Sequence, residues 1–164
     1  MTTGRQHLIA TALGERPADV VLRGGTVVST ATRELVRADV VIAGDRIAAV
    51  GQATAARITS DTKVIDVSGR FIAPGLIDPH IHLESSNLTV TSLARAIVPR
   101  GVLSICEDPH EIANVLGRPG IDLIVDEAKG VPLNLFLRVP GRVPALPAHL
   151  ETSGHEMSTK VLDE

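Results

Sequence analysis

Gly69-Arg-Phe-Ile-Ala-Pro-Gly-Leu-Ile-Asp-Pro-His-Ile-His-Leu-Glu-Ser-Ser86 carries the chain from a short apolar run into two histidines separated by one residue. In an extended segment successive side chains alternate faces, so His80 and His82 point one way and Ile81 the other. Asp78 and Glu84 are in phase with the two imidazoles. Imidazole is the commonest metal ligand, and carboxylates suit the same divalent ions. The pattern therefore reads as the start of a metal site at a strand end. The plainer reading is a pair of surface or capping histidines at a strand-to-loop junction.

Bulk properties narrow the class. At 164 residues the chain accommodates one ordinary domain, or a small domain plus part of another. Apolar residues make up 44% but aromatic ones only 1%, so the core is built from Val, Ile, Leu and Ala. A formal charge of −3 with no Lys/Arg cluster excludes a nucleic-acid footprint. No apolar run reaches the length of a membrane span, and Met1 to Ala18 does not read as a signal peptide. Cys106, the single cysteine, cannot form an internal disulfide, which suits a reducing, cytoplasmic setting.

Ahead of the histidines, Gly4 to Gly14 has modest helical spacing and predicts a short leading helix. From Asp19 the pattern turns to strands: Val20–Arg23, Thr26–Ser29, a run over Glu34–Ile42, a Gly44-Asp45 turn, Arg46–Gly51 and Val64–Val67. Short β-branched runs between Gly, Asp and Ser signals predict a small antiparallel β unit. Gly24-Gly25 lacks the residues of a phosphate loop and reads as a turn or bulge.

Beyond Phe71 the grammar becomes strand, then helix. Thr89 is a suitable N-cap for a helix to Val98, and Pro99-Arg100-Gly101 ends it. Val102–Cys106 is near-continuously apolar, the mark of a strand covered on both faces. A helical region through Leu116 follows, interrupted at Gly117–Gly120; helical spacing resumes over Ile121–Lys129 with Gly130 as its cap. Val131–Val139 is a third strand. The order β-α-β-α-β implies a parallel sheet, whose ligands collect at the carboxyl ends of the strands. His80, His82, Asp108 and His110 then share one face of it. Asp108, Pro109 and Glu111 also fit an N-cap, a proline in the first turn and a reciprocal carboxylate, so capping accounts for Asp108 and Glu111 and leaves His110 unexplained. Asn114 stands where a His-Glu-x-x-His motif needs histidine, which excludes the metalloprotease pattern. Cys106 reads as a buried, inert thiol. Ser85 and Ser86 are candidates for substrate binding or for helix capping. Arg138 and Arg142 have the default role of surface residues, and Glu151–Gly154 reads as a turn.

With these elements assembled, Pro74-Gly75-Leu76-Ile77-Asp78-x-His80-x-His82 resembles the amidohydrolase superfamily. Within it, His82-Leu-Glu84-Ser85-Ser86, Pro99-Arg100-Gly101, the run Asp108–Gly117 and Glu151–Gly154 are similar to the adenine deaminase family. The resemblance implies an α/β fold: a leading segment over 1–18, a small β-sandwich over 19–73, and over 74–164 the first three strand–helix units of a (β/α)8 TIM-type barrel. It implies His80 and His82 as metal ligands, Asp108 and His110 as catalytic residues, and Glu84, Ser85 and Ser86 as substrate-binding residues. The cofactor it implies is a divalent metal, binuclear, with Mn, Fe or Zn as the ions. Such a centre makes hydroxide available near neutral pH for attack on C6 of adenine, releasing ammonia and hypoxanthine. The partners implied are the purine substrate and further copies of the chain, as a homodimer or higher homo-oligomer, with no nucleic acid and no membrane. A complete barrel takes about 250 residues. The family's remaining ligands come from later strands, and neither Lys160 nor Glu164 is assignable as a bridge. The chain is therefore expected to be the N-terminal piece of a longer enzyme. The alternatives are an amidohydrolase acting on a cyclic amide, or a non-catalytic metal-binding or assembly fragment.

Overall fold

The computed structural model describes residues 4–53, 57–141, 143–147 and 149–157. The chain divides into two units, Met1–Pro74 and Gly75–Glu164.

In the first unit, α1 spans Gly4–Leu13 and, among the described residues, seven short strands follow: β1 Val20–Arg23, β2 Thr26–Ser29, β3 Glu34–Arg37, β4 Asp39–Ala43, β5 Arg46–Gly51, β6 Lys63–Asp66 and β7 Phe71–Ile72. They form a four-stranded sheet in the order β5-β4-β1-β6 and a three-stranded sheet in the order β3-β2-β7. Their pairing corrects the expected antiparallel unit. β1 runs parallel to β6 and β2 parallel to β7, while the β1–β4, β2–β3 and β4–β5 pairs are antiparallel. The single run expected over Glu34–Ile42 is also divided. β3 ends at Arg37, β4 begins at Asp39, and the two belong to different sheets. Asp39 fixes that change of sheet, because its two carboxylate oxygens accept the backbone N–H groups of Gly24 at 2.8 Å and Ala53 at 3.0 Å. At the other end of the unit, Arg57 closes α1. Its guanidinium donates to the carbonyls of Thr11 and Ala12, two of the acceptors a helix end leaves unpaired. Ala18, Val21 and Val41 are the buried centre of the four-stranded sheet.

The second unit is the expected β-α-β-α-β. β8 spans Leu76–Ile81, α2 Val90–Ile97, β9 Val102–Glu107, α3 His110–Leu116, α4 Arg118–Ala128 and β10 Asn134–Leu137. The sheet order is β10-β9-β8, all parallel. The helices cover it through Val90, Leu93 and Ala94 of α2 and Ile124 of α4, which pack with Leu83, Ile105 and Leu133. Each of the larger of these side chains contributes on the order of 1.5–3 kcal/mol by leaving water. Thr89 caps α2 as read, accepting the N–H of Ser92 at 3.3 Å. Other expectations shift. β10 is shorter than the apolar run Val131–Val139, the C-cap of α4 is Lys129 rather than Gly130, and α4 already begins at Arg118, so only Gly117 separates the two helices. Leu103 in β9 remains 39% exposed and Cys106 is half-buried, so this strand is not fully covered. Gly120 is required where α4 crosses α3, since a Cβ there would sit 2.9 Å from the backbone oxygen of Ile112. The segment Glu151–Gly154 docks on the end of α3. Gly154 N–H donates to the carbonyl of Asn114 at 2.8 Å, and the Ser153 hydroxyl lies 3.0 Å from the Asn114 side-chain oxygen. Arg142, Lys160 and Glu164 lie outside the described residues. Among the described residues no helix is long and apolar enough to cross a membrane.

Candidate metal centre

Pro79 lies inside β8 and cannot donate to the ladder. The register with β9 slips there: Asp78 faces Ile105 and Ile81 faces Glu107, so β8 carries one extra residue between the two pairs. Such a bulge re-aims the side chains around it. His80 N–H leaves the ladder for the Asp78 carboxylate at 3.1 Å. Beyond the strand, Leu83 N–H is held by both carboxylate oxygens of Glu107, at 3.2 and 3.0 Å, which anchors the chain just after His82.

The result is convergence. The Nε2 atoms of His80 and His82 are 3.2 Å apart and the rings meet edge to face. Two imidazoles on one tetrahedral ion, each at about 2.0–2.1 Å, would hold their nitrogens roughly 3.3 Å apart. Asp108, directly after β9, brings Oδ2 to 4.0 Å from His80 Nε2. Ligand atoms of His80, His82 and Asp108 all lie within 4.8 Å of one another. His82 Nδ1 is 2.8 Å from the carbonyl of Asp108, an acceptor only, so the hydrogen-bond network places the proton on Nδ1 and leaves the Nε2 lone pair free. The other oxygen of Asp108, Oδ1, is buried without a hydrogen-bond partner among the described residues. A buried carboxylate oxygen with no donor is costly in a native structure, and a cation is the natural partner for it. The donor set therefore fits a divalent metal ion.

Asp108 does not cap α3. The helix begins at His110 with Pro109 as its N-cap residue and no side-chain cap, one residue later than the capping reading requires. The Asp108 carboxylate is thereby free to face His80. Glu111 makes no reciprocal cap either and instead accepts the Ser85 hydroxyl at 2.5 Å. His110 opens α3 but is not part of the donor cluster among the described residues. Glu84 accepts the N–H of Ile112 at 2.9 Å through Oε1. Ser86 is taken up by its own turn, donating to the carbonyl of Leu83 at 2.6 Å and accepting from Leu88 N–H at 3.2 Å. Of the three expected substrate-binding residues, Ser85 is the one with an exposed side-chain contact across the loops.

Two residues were missed by the sequence reading. Glu107 is fully buried, and burial together with the adjacent Glu84 carboxyl pushes it up to about 8. Among the described residues, Oε2 of Glu84 has no donor unless Glu107 carries a proton. The available signal was a charged residue closing the apolar strand Val102–Cys106. Arg138 follows β10, and its Nη1 lies 2.8 Å from Nδ1 of His80. Its position at the carboxyl end of the third strand was the clue.

A parallel β-α-β-α-β unit with donors gathered at the carboxyl ends of its strands defines an α/β protein. Residues 71–164 match the amidohydrolase family, and the chain belongs to that family. It is 49% identical over 142 residues to an adenine deaminase of Moorella thermoacetica, covering 87% of this chain and 24% of that protein. An adenine deaminase of Mesorhizobium japonicum is 44% identical over 153 residues, 93% of this chain and 25% of that one. The chain thus spans about a quarter of the length of these curated relatives. In fold it is similar to a mutant atrazine chlorohydrolase TrzN from Arthrobacter aurescens, solved with zinc and atraton. The TM-score is 0.59 at 20% identity, over 73% of this chain and 35% of that one.

Proposed function

We propose that the chain forms the opening part of a metal-dependent enzyme that deaminates adenine to hypoxanthine and ammonia. The observation that carries this reading is the meeting of His80 Nε2, His82 Nε2 and the Asp108 carboxylate at the ends of β8 and β9, with one buried Asp108 oxygen lacking a donor. In this reading His80, His82 and Asp108 hold a divalent ion, whose contribution is to make water acidic enough for hydrolysis near neutral pH. The resemblance to adenine deaminases supports the choice of purine. The arrangement around the ion is the work of neighbouring groups: the Asp108 carbonyl sets the His82 tautomer, and Glu107 fixes the backbone at Leu83. Ser85, after β8, and Glu111, in the first turn of α3, are joined by a hydrogen bond and placed to meet polar atoms of a ring substrate. His110, at the start of α3, is assigned the handling of a proton. The two sheets of the first unit are assigned to a small β-sandwich, and the three parallel strands to the start of a (β/α)8 barrel. A cytoplasmic homo-oligomer using Mn, Fe or Zn completes the proposal.

The test is turnover of adenine by the intact protein supplied with divalent metal, followed as hypoxanthine formation. Activity abolished by His80→Ala and by His82→Ala is the expected result. No adenine turnover, with hydrolysis of a cyclic amide instead, would move the protein to another branch of the family.

A further inference from the structure

The order Asp108-Pro109-His110-Glu111 carries a strong local preference. It offers an aspartate as cap, a proline for the first turn, and a carboxylate that reaches back to the cap's own N–H. Each part of that arrangement is claimed instead by the end of β8 and the turn after it. The N–H of Asp108 donates to the carbonyl of Ile81 at 2.9 Å. The Glu111 carboxylate accepts the hydroxyl of Ser85. The third part falls to Glu84. A capping side chain accepts the N–H of the second or third helical residue. α3 begins at His110, so Ile112 is the third, and the N-cap residue Pro109 has no side-chain acceptor. Glu84 Oε1 accepts that N–H at 2.9 Å and so caps α3 from a distant segment of the chain.

Where the helix starts decides where the Asp108 carboxylate can be. With Glu84 on Ile112, α3 opens at His110 and Asp108 stays outside it, with Oδ2 4.0 Å from His80 Nε2. Without Glu84 the local preference has no competitor. Asp108 would then become the cap, its carboxylate drawn to the N–H groups of His110 and Glu111 and away from His80. We propose that Glu84 is a positioning residue for the metal centre: by capping α3 in place of Asp108, it keeps the Asp108 carboxylate available to an ion. This rests on the reading of His80, His82 and Asp108 as a metal centre. It replaces the substrate-binding role that the sequence resemblance implies for Glu84. Because Glu84 follows His82 by two residues, one turn of chain both delivers a histidine ligand and releases the carboxylate ligand.

The experiment uses the intact protein stripped with a chelator. Zinc affinity is measured by competition with a chromogenic chelator for the wild type, Glu84→Ala, Glu84→Gln, Glu84→Asp, Asp108→Asn, and Glu84→Ala combined with Asp108→Asn. Glu84→Ala is expected to weaken zinc binding about 10–100-fold, the usual range for losing a group that orients a ligand. Glu84→Gln keeps the reach and a side-chain oxygen for the Ile112 N–H, and should bind near the wild type. Glu84→Asp keeps the charge but is one methylene short, and should bind as poorly as Glu84→Ala. In the combined variant Glu84→Ala should add nothing to Asp108→Asn, since it acts through that carboxylate alone. Unchanged binding by Glu84→Ala, a Glu84→Gln as weak as Glu84→Ala, or additive losses in the combined variant overturn the proposal. So does a Glu84→Ala whose only change is a raised KM for adenine, which would make Glu84 a substrate contact. Should Glu84→Ala fail to fold, the order of the other two decides alone: Glu84→Gln must bind zinc more tightly than Glu84→Asp. If Asp108→Asn binds zinc as well as the wild type, the metal-centre reading itself falls, and this inference with it. If Asp108→Asn loses zinc while Glu84→Ala does not, only the positioning role is wrong.

Discussion

Glu127 of α4 closes the amino terminus of α2: its Oε1 accepts the backbone N–H of Thr91 at 3.0 Å, while Oε2 takes that of Val90 at 3.1 Å. Thr89 caps the same helix through a third N–H, so α2 is tied both to its own first turn and to the neighbouring helix. The N–H of Thr91, then its hydroxyl, hold the Glu127 carboxyl below the usual carboxylate range. A group whose folded value is depressed contributes stability above its unfolded value and loses it as pH falls through the folded one. The stability gap between wild type and Glu127→Gln is therefore expected to be present at neutral pH and to close in acid below about pH 4.5. Urea unfolding across that range measures it, and Glu127→Ala should cost about 1 kcal/mol at pH 7.

Gly120 and Gly141 make a contrasting pair. A methyl group at Gly120 would press on the Ile112 side chain at 2.7 Å and its backbone oxygen at 2.9 Å, whereas one at Gly141 meets nothing within 4 Å among the described residues. Gly120→Ala should lower stability by about 1–3 kcal/mol, the usual cost of overpacking. Gly141→Ala should stay within about 0.5 kcal/mol. Thermal or urea unfolding of the two variants would distinguish them, and equal stabilities would contradict the tight α3–α4 crossing.

Asp108→Asn keeps the size of the side chain and removes its charge. Because the helix after it does not depend on Asp108 as a cap, far-ultraviolet circular dichroism should be unchanged. Divalent-ion affinity should fall further than the roughly 10–100-fold typical of losing an outer partner of a ligand. Isothermal titration of chelator-stripped protein gives the number. Undiminished affinity would remove Asp108 from the ligand set.

Leu93 of α2 is 5% exposed and packs in the main core of the second unit. Leu93→Ala should cost about 2–5 kcal/mol. Leu123, on α4 but 62% exposed, should tolerate alanine with a much smaller loss in the same assay.

Much of this architecture was legible in residue order. The leading helix, the β-α-β-α-β succession and the Thr89 cap follow from periodicity and from single residues with one strong local preference. Elements fixed by distant partners were not legible. Nothing local tells β1 to run beside β6 in parallel, or Ala38 to mark a passage between sheets, because both depend on a ladder closed by residues far along the chain. The Asp108–Pro109–Glu111 pattern misled for a related reason. A helix that starts one residue later converts a cap into a free carboxylate, and sequence boundaries are not defined that finely. His80 and His82 were readable because alternation brings them together, but the Pro79 bulge that lets their nitrogens meet was not. Arg138 looked like an ordinary surface residue until the sheet order set it two strands from His80.

The donors at the strand ends come from different segments: His80 from β8, His82 just past it, and Asp108 from the loop after β9. An ion seated among them would act as a rivet as well as a reagent, clamping neighbouring strands at one end of the sheet. Held at a hundredfold excess over its dissociation constant, it would add about 2.7 kcal/mol to the folded state. Cation supply and resistance to unfolding would then rise and fall together.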